Sequence, residues 1–172
     1  MTCLDNLQKK YPNLSLILLG ISIGISAALD ISGVFTNNWV CFDGQCGGIV
    51  PFDSSGPAWL TAASFMLFIS IGVMVVVIAL YFVLVIQVLN HGYHINFRKW
   101  FLLLFIISSL ALLLIFSSFA VIQVSLDNFN YKYLLYSPQK LDLGWSCALS
   151  YVAIVPLGLV LFCIHRVDLQ CI

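Results

Sequence analysis

The sequence predicts an all-α membrane protein: a bundle of four transmembrane helices with a small disulfide-pinned extracellular β-hairpin. Three observations support this fold class. Of the 172 residues, 62% are hydrophobic and only 8% are charged, whereas soluble domains are about 45–50% apolar and about 25% charged. Four apolar runs are each long enough to cross a bilayer, which takes about 20 residues. Two cysteines flank a strong turn signal in the segment between the first two runs.

The four apolar runs define the predicted spans. They are Leu14–Phe35, Trp59–Leu89, Trp100–Leu126 and Leu143–Ile164. Only helices and closed barrels satisfy the backbone polar groups in lipid, and none of these runs alternates strictly between apolar and polar residues, so helices are favoured. Pro156 lies in the middle of the fourth run and is expected to kink that helix.

The balance of charge excludes several classes of protein. Seven Lys and Arg residues are matched by seven acids, and the net charge is zero. Without an excess of positive charge we expect no binding to nucleic acid. So few charges cannot cover the surface of a soluble enzyme, and so apolar a chain is not a disordered tail. We therefore expect one membrane domain over residues 1–172.

The positions of the cations predict the orientation in the membrane, because cytoplasmic segments attract Lys and Arg. Most of them lie in the two terminal segments and in the short loop between the second and third runs. These are Lys9, Lys10, Arg98, Lys99 and Arg166. The other two loops carry only Lys132 and Lys140. We expect a multi-pass protein of the plasma membrane with cytoplasmic N- and C-termini, and the lipid bilayer is its first predicted partner.

The first run has an alternative interpretation as a cleaved signal peptide. Lys9 and Lys10 precede it, and Ser26-Ala27-Ala28 within it has the small residues of a cleavage site. The apolar part of a signal peptide usually has about 7–15 residues, and this run is longer, so a retained helix is favoured.

The first outer loop contains a predicted hairpin. Asp43-Gly44 favours a two-residue type I′ turn, which needs positive φ at both positions. With this turn at the tip, Cys41 lies opposite Cys46 in a non-hydrogen-bonded pair, whose short Cα separation suits a disulfide. We expect the indole of Trp39 to pack over this bridge and over Gly48. Two free thiols are the alternative, and a metal site is not expected because no histidine lies nearby.

Asp30 is the only charged residue within the four runs, and intramembrane acids are candidates for function. It lies close to the outer end of the first run. We expect it to meet water there, or to accept hydrogen bonds from Ser32 and Thr36. A transporter would bury more than one such group, so a special role for Asp30 has weak support.

Gly20, Gly24 and Ala28 recur at every fourth position of the first run. Small residues at this spacing form a face on which two membrane helices approach closely. We expect this helix-packing face to serve contacts within the bundle, with association between copies as the alternative.

The sequence contains no catalytic constellation, phosphate-binding loop or cofactor motif. His91 and His94 are three residues apart, but two ligands without a third do not make a metal site. We therefore expect neither enzymatic activity nor a cofactor or metal. Cys3, Cys163 and Cys171, near the predicted cytoplasmic face, are compositional candidates for lipidation.

The order of these parts is similar to that of a known family. Trp39-Val40-Cys41 is followed by Cys46, the second run begins with Trp59–Met66, and Gly144-Trp145 and Cys163–Asp168 bound the fourth. The layout resembles the claudin, peripheral myelin protein and epithelial membrane protein superfamily of four-span proteins, closest to the lens fibre membrane intrinsic protein branch.

This resemblance implies a non-enzymatic role in membrane organisation or cell junctions, exerted through lateral or cell–cell contacts. The partner would be a second copy of the chain or another integral membrane protein. Trp39, Cys41 and Cys46 would form the outer recognition or folding element. The alternative is an auxiliary subunit that modulates or traffics a channel, receptor or adhesion protein.

Overall fold

A computed structural model describes residues 14–42, 45–49, 58–91, 98–133 and 141–170. Helices and short strands follow one another within these ranges. In chain order they are α1 Leu14–Phe35, β1 Val40–Phe42, β2 Gln45–Gly47, α2 Ala58–His91, α3 Arg98–Tyr133, β3 Leu141–Leu143, α4 Trp145–Val152 and α5 Ile154–Gln170. Helix α4 and helix α5 together form the fourth span.

Four helical segments of the described residues are long and apolar enough to cross a membrane. They are Leu16–Phe35, Ala58–Asn90, Lys99–Asn128 and Trp145–Ile164. The four predicted spans are thereby confirmed as helices. Helix α3 continues to Tyr133, beyond the predicted end at Leu126, because no glycine or proline interrupts the intervening sequence.

The helices pack as a ring in chain order. Helix α1 contacts α2, α2 contacts α3, and α3 contacts α5. Helix α1 also packs along both α4 and α5, which closes the ring. The three strands lie at one end, which we call the sheet end, and the start of α1 and the end of α5 lie at the opposite end.

The buried side chains form three apolar clusters along the bundle, and two of them frame the candidate site. The sheet-end cluster consists of Val34, Trp39, Ile49, Ala63, Leu67, Ile122 and Cys147. The middle cluster consists of Ala27, Met74, Ala111, Ile115 and Leu157. The third cluster lies nearer the opposite end and includes Leu19, Leu84 and Leu104. All four spans contribute to each cluster or pack against it.

The fourth span is interrupted at Ala153, one turn before Pro156. Pro156 has no N–H group, so the carbonyl of Val152 loses its helical donor and the helix is distorted there. The carbonyl of Ala153 accepts hydrogen bonds from the N–H of Leu157 at 3.3 Å and from the hydroxyl of Ser26 at 2.8 Å. The fourth span is thus interrupted next to Pro156, where the kink is expected, and the Ser26 hydroxyl ties helix α1 to this point.

The sheet at the end of the bundle has three antiparallel strands in the order β2-β1-β3. The predicted hairpin register between β1 and β2 is confirmed, with Cys41 opposite Cys46. The turn residues Asp43 and Gly44 lie outside the described residues. Strand β3 is not predicted from the sequence. The predicted fourth span begins at Leu143, and the two residues before it are expected in a loop. It pairs with the second edge of β1, placing Asp142 opposite Cys41.

Candidate functional site

The disulfide between Cys41 and Cys46 holds the two hairpin strands together. The Cα atoms are 4.0 Å apart and the S–S distance is 2.01 Å. So short a Cα separation is typical of a non-hydrogen-bonded antiparallel pair, in which facing side chains approach most closely. The predicted bridge is therefore confirmed in the predicted register.

The side chain of Trp39 points into the bundle and does not cover the disulfide. It is only 2% exposed and belongs to the sheet-end cluster. Its Nε1–H donates a hydrogen bond of 2.8 Å to the carbonyl of Gly33, near the end of helix α1. The expectation that the indole packs on the bridge is wrong, because the apolar interior and a carbonyl in the last turn of α1 together offer the ring a better environment.

The segment that follows α1 is joined beside Trp39 to the start of the fourth span by backbone hydrogen bonds. The N–H of Gly144 donates to the carbonyl of Trp39 at 2.9 Å, and the N–H of Ser146 donates to the carbonyl of Asn38 at 3.2 Å. The N–H of Asn38 in turn donates to the Ser146 hydroxyl at 3.2 Å. A Cβ atom on Gly144 would collide with the carbonyl of Asn38. Glycine is therefore required there, and the first turn of α4 gains backbone partners.

At Gly33 helices α1 and α4 approach each other closely. A Cβ atom at this position would lie 2.8 Å from the backbone nitrogen of Ser150 and 2.9 Å from the carbonyl oxygen of Ser146. Neither backbone atom can move without moving the helix. We call Gly33, Asn38, Trp39, Gly144 and Ser146 the Trp39 junction, since together they join α1, the sheet and α4.

The structure divides the predicted small-residue face of helix α1. Gly20 lies against the ring of Tyr81, and its Cβ would be 2.6 Å from the ring carbon Cζ. The Tyr81 hydroxyl donates a 3.0 Å hydrogen bond to the carbonyl of Leu16. Gly24 and Ala28 are exposed instead, and a Cβ on Gly24 would meet nothing within 4 Å among the described residues. The expectation that all three serve packing within the bundle is wrong for Gly24 and Ala28.

Asp30 is fully buried, with 0% exposure, and does not meet solvent at the end of the helix. Its Oδ2 lies 3.0 Å from the hydroxyl oxygen of Ser70 on helix α2. Thr36, the partner expected from the sequence, donates instead to the carbonyls of Ser32 and Gly33. The expectation of a solvated acid is wrong because the fourth span covers this face of α1.

A layer of buried polar side chains lies between the sheet-end and middle clusters. Each span contributes one member to this layer. We call this set, Asp30, Ser70, Ser118 and Ser150, the Asp30 layer; all four residues are buried. The Ser118 hydroxyl donates to the carbonyl of Ile115 at 2.7 Å, which leaves its oxygen free to accept. Because the Asp30 layer lies between two apolar clusters, any unpaired polar atom within it lowers the stability of the folded state.

Two oxygen atoms of this layer have no hydrogen-bond partner among the described residues: Oδ1 of Asp30 and Oγ of Ser150. Most buried polar atoms in native proteins do have a partner, so each exception requires an explanation. Sequence analysis found Asp30 from its charge but missed Ser150, because a serine in an apolar run is usually satisfied by its own helix.

No described residues form a group of three metal-ligating His, Cys, Asp or Glu side chains. Cys147 is buried in the sheet-end cluster, and Cys163 is half-buried in the fourth span. Cys3 and Cys171, the other candidates for lipidation, lie outside the described residues. The described side chains therefore form a packed, disulfide-linked sheet end next to a buried polar layer.

Comparison with known families gives a match over most of the chain. A family model described as "Tight junction protein, Claudin-like" matches residues 8–166. This range includes the disulfide-linked sheet, the Trp39 junction and all four spans. A comparison with curated proteins gives no significant match.

Proposed function

The chain belongs to the claudin-like family of tight junction proteins, and from this premise we propose that it is a structural protein of cell junctions. In this proposal it acts through contacts with a second copy of itself or with another integral membrane protein. The observation that supports it most is the sheet end: a disulfide-linked sheet joined to the helices through the Trp39 junction. Such a platform can present a contact surface in a fixed orientation.

We propose that the sheet end faces the cell exterior at the plasma membrane and that both termini are cytoplasmic. The disulfide supports this orientation, because such bridges persist in oxidising compartments. Trp145, at the start of α4, is 54% exposed beside the sheet, where an interfacial tryptophan would lie at the headgroup level. Lys99, near the opposite end of the bundle, is exposed and fits the excess of positive charge on the cytoplasmic side.

Imaging of mixed cells tests the junctional role directly. Half of the cells express a fluorescently tagged chain and the other half do not. We expect the signal to concentrate at borders between two expressing cells, because contact across the gap needs the sheet end on both sides. A uniform signal at all borders would contradict contact between copies on opposing cells.

The second candidate function is an auxiliary subunit for a channel, receptor or adhesion protein. The open face around Gly24 and Ala28 favours it, because small exposed residues let a neighbouring membrane helix approach closely. In the imaging experiment this role gives no enrichment at borders between expressing cells. The chain would then depend on a copurifying membrane protein for its exit from the endoplasmic reticulum.

Removal of the disulfide is expected to impair delivery to the cell surface and to leave membrane insertion intact. Cys41 and Cys46 are five positions apart, and closing so short a loop contributes about 2 kcal/mol. Insertion depends on the apolar spans, which the change does not touch. Surface biotinylation of Cys41→Ser and Cys46→Ser should show reduced surface fractions.

Cys163→Ser is the matched control, since Cys163 is half-buried in the fourth span and forms no disulfide. It should reach the surface at the level of the unaltered chain. Normal surface levels of both bridge variants would show that the sheet is not needed for export.

A further inference from the structure

The fourth span carries a second buried polar group, the hydroxyl of Ser150, which lies against Gly33 one turn along helix α1 from Asp30. Helix α1 contacts this span on both sides of the acid: the Ser26 hydroxyl donates to Ala153, and Gly33 touches the backbone of Ser150. Residues three or four apart on a helix are neighbours, with Cβ atoms about 5–6 Å apart. Asp30 is four residues after Ser26 and three before Gly33, so it faces the stretch between Ser150 and Ala153.

The side chains of the Asp30 layer offer oxygen acceptors. Asp30 supplies two carboxylate oxygens, of which Oδ1 has no partner among the described residues. The Ser70 oxygen lies 2.7 Å from the carbonyl of Leu67 and 3.0 Å from Oδ2 of Asp30. A hydroxyl has one hydrogen, which can serve only one of these two acceptors. Ser150 is only 2% exposed. Its hydroxyl oxygen also has no hydrogen-bond partner among the described residues.

An ionised Asp30 needs a counter-charge at this position, since without one the buried carboxylate takes up a proton. A single buried carboxylate without a counter-charge costs several kcal/mol in a low-dielectric interior. The sequence has no Lys, Arg or His within the four predicted apolar runs, so no side chain of these runs can pair with it. One negative charge is neutralised by one monovalent cation, whereas a divalent ion would leave a net positive charge in the bundle.

From this geometry we infer that the Asp30 layer binds a monovalent alkali cation, held by the Asp30 carboxylate together with the hydroxyl oxygens of Ser70 and Ser150. Hard cations prefer such oxygen ligands. The ion would join helices α1, α2 and α4 at the level between the sheet-end and middle clusters. Asp30 lies five residues before the end of α1 at Phe35, a rise of about 7.5 Å, so the layer is near the sheet end of the bundle.

The test is the thermal stability of the purified full-length chain in detergent, followed by tryptophan fluorescence. It compares sodium chloride with choline chloride at equal ionic strength, because choline is too large for a site between packed helices. Binding to the folded state alone raises Tm by about 3–6 °C when the sodium concentration is about ten times Kd. We expect a rise of this size that saturates with sodium, and repeating the titration with potassium chloride measures selectivity between the two ions.

Substitutions within the layer locate the site. Asp30→Asn should abolish the sodium-dependent rise. Ser70→Ala and Ser150→Ala should each raise the sodium concentration that gives half of the rise by about tenfold. Each variant removes one hydroxyl ligand of the ion, and a contact to a charge is worth about that factor. These two variants keep the test decisive if Asp30→Asn does not fold. Ser108→Ala is the control. Ser108 is a buried serine whose hydroxyl also has no hydrogen-bond partner among the described residues. It lies on α3, however, next to the cluster at the opposite end of the bundle.

Three results would overturn the inference. The first is an equal Tm in sodium, potassium and choline chloride. The second is a sodium-dependent rise that persists unchanged in Asp30→Asn. The third is a loss of the rise in Ser108→Ala as large as that in Ser150→Ala, which would indicate a general effect of salt on the bundle. None of these readouts depends on a junctional role, so the site and the proposed function can fail independently.

Discussion

Gly33→Val is expected to prevent folding of the bundle, whereas Gly24→Val on the same helix should leave it folded. A Cβ at Gly33 would lie 2.8 Å from the nitrogen of Ser150 and 2.9 Å from the carbonyl of Ser146. Both are backbone atoms, so α1 and α4 would have to separate. Overpacking by a few methyl groups in a tight core typically costs about 1–3 kcal/mol, occasionally more, and separating two helices also disrupts the Trp39 junction.

Gly24 supplies the control within the same helix, because a Cβ there meets no described atom within 4 Å. The measurement is the monodisperse yield of each variant in detergent, with Tm where material remains. We expect Gly33→Val to aggregate and Gly24→Val to match the unaltered chain. The reverse order would mean that α1 presents its other face to the fourth span and would contradict the observed packing.

Trp39→Ala is the second substitution with a large expected effect. The indole is 2% exposed within the sheet-end cluster, and truncating a buried tryptophan to alanine typically costs about 3–5 kcal/mol. The change also removes the donor to the Gly33 carbonyl. Because protein domains are stable by only about 5–15 kcal/mol, we expect a strongly reduced Tm and retention inside the cell.

Trp39→Phe separates the two contributions of the indole. It retains an aromatic ring in the cluster but cannot donate to Gly33, so an intermediate loss of stability is expected. Trp145→Ala is the matched control, since this tryptophan is largely exposed and its removal leaves no cavity in the described core. If Trp39→Ala and Trp145→Ala lowered Tm equally, the buried position of Trp39 would not be what stabilises the sheet end.

The elements set by local sequence were predictable. The apolar run Leu14–Phe35 has the bounds of helix α1, because a long apolar segment can satisfy its backbone in lipid only as a helix or in a closed barrel. The register of Cys41 with Cys46 follows from a turn signal of two residues, since turn length fixes which residues face each other.

Features that depend on contacts distant in sequence were not predictable in the same way. Strand β3 is only Leu141–Leu143, too short for its alternation to distinguish it from a loop, and its pairing with β1 is set by where the fourth span begins. A segment of two or three residues can form a strand when the unpaired edge of another strand lies nearby.

The same limit on prediction applies to the site residues of helix α1, whose packing partners lie far away in the sequence. The spacing of Gly20, Gly24 and Ala28 identifies a common side of the helix but not which neighbour it meets. Gly33, which packs against the backbone of the fourth span, has no small partner four residues away to mark it. Asp30 was visible from its charge, but its burial depends on how far the fourth span extends along α1, which only the packing shows.

The three strands of the sheet become available at different stages of synthesis. Cys41 and Cys46 both lie in the segment between α1 and α2, so in the orientation proposed above their bridge can form as soon as that segment crosses the membrane. The partner of Val40 on the other edge of β1 is Leu143, which is made only after the second and third spans. Until then β1 has an open edge, and such edges attract other chains or chaperones. Docking of β3 therefore marks the completion of assembly, so an antibody specific for the closed sheet would distinguish finished molecules from nascent ones.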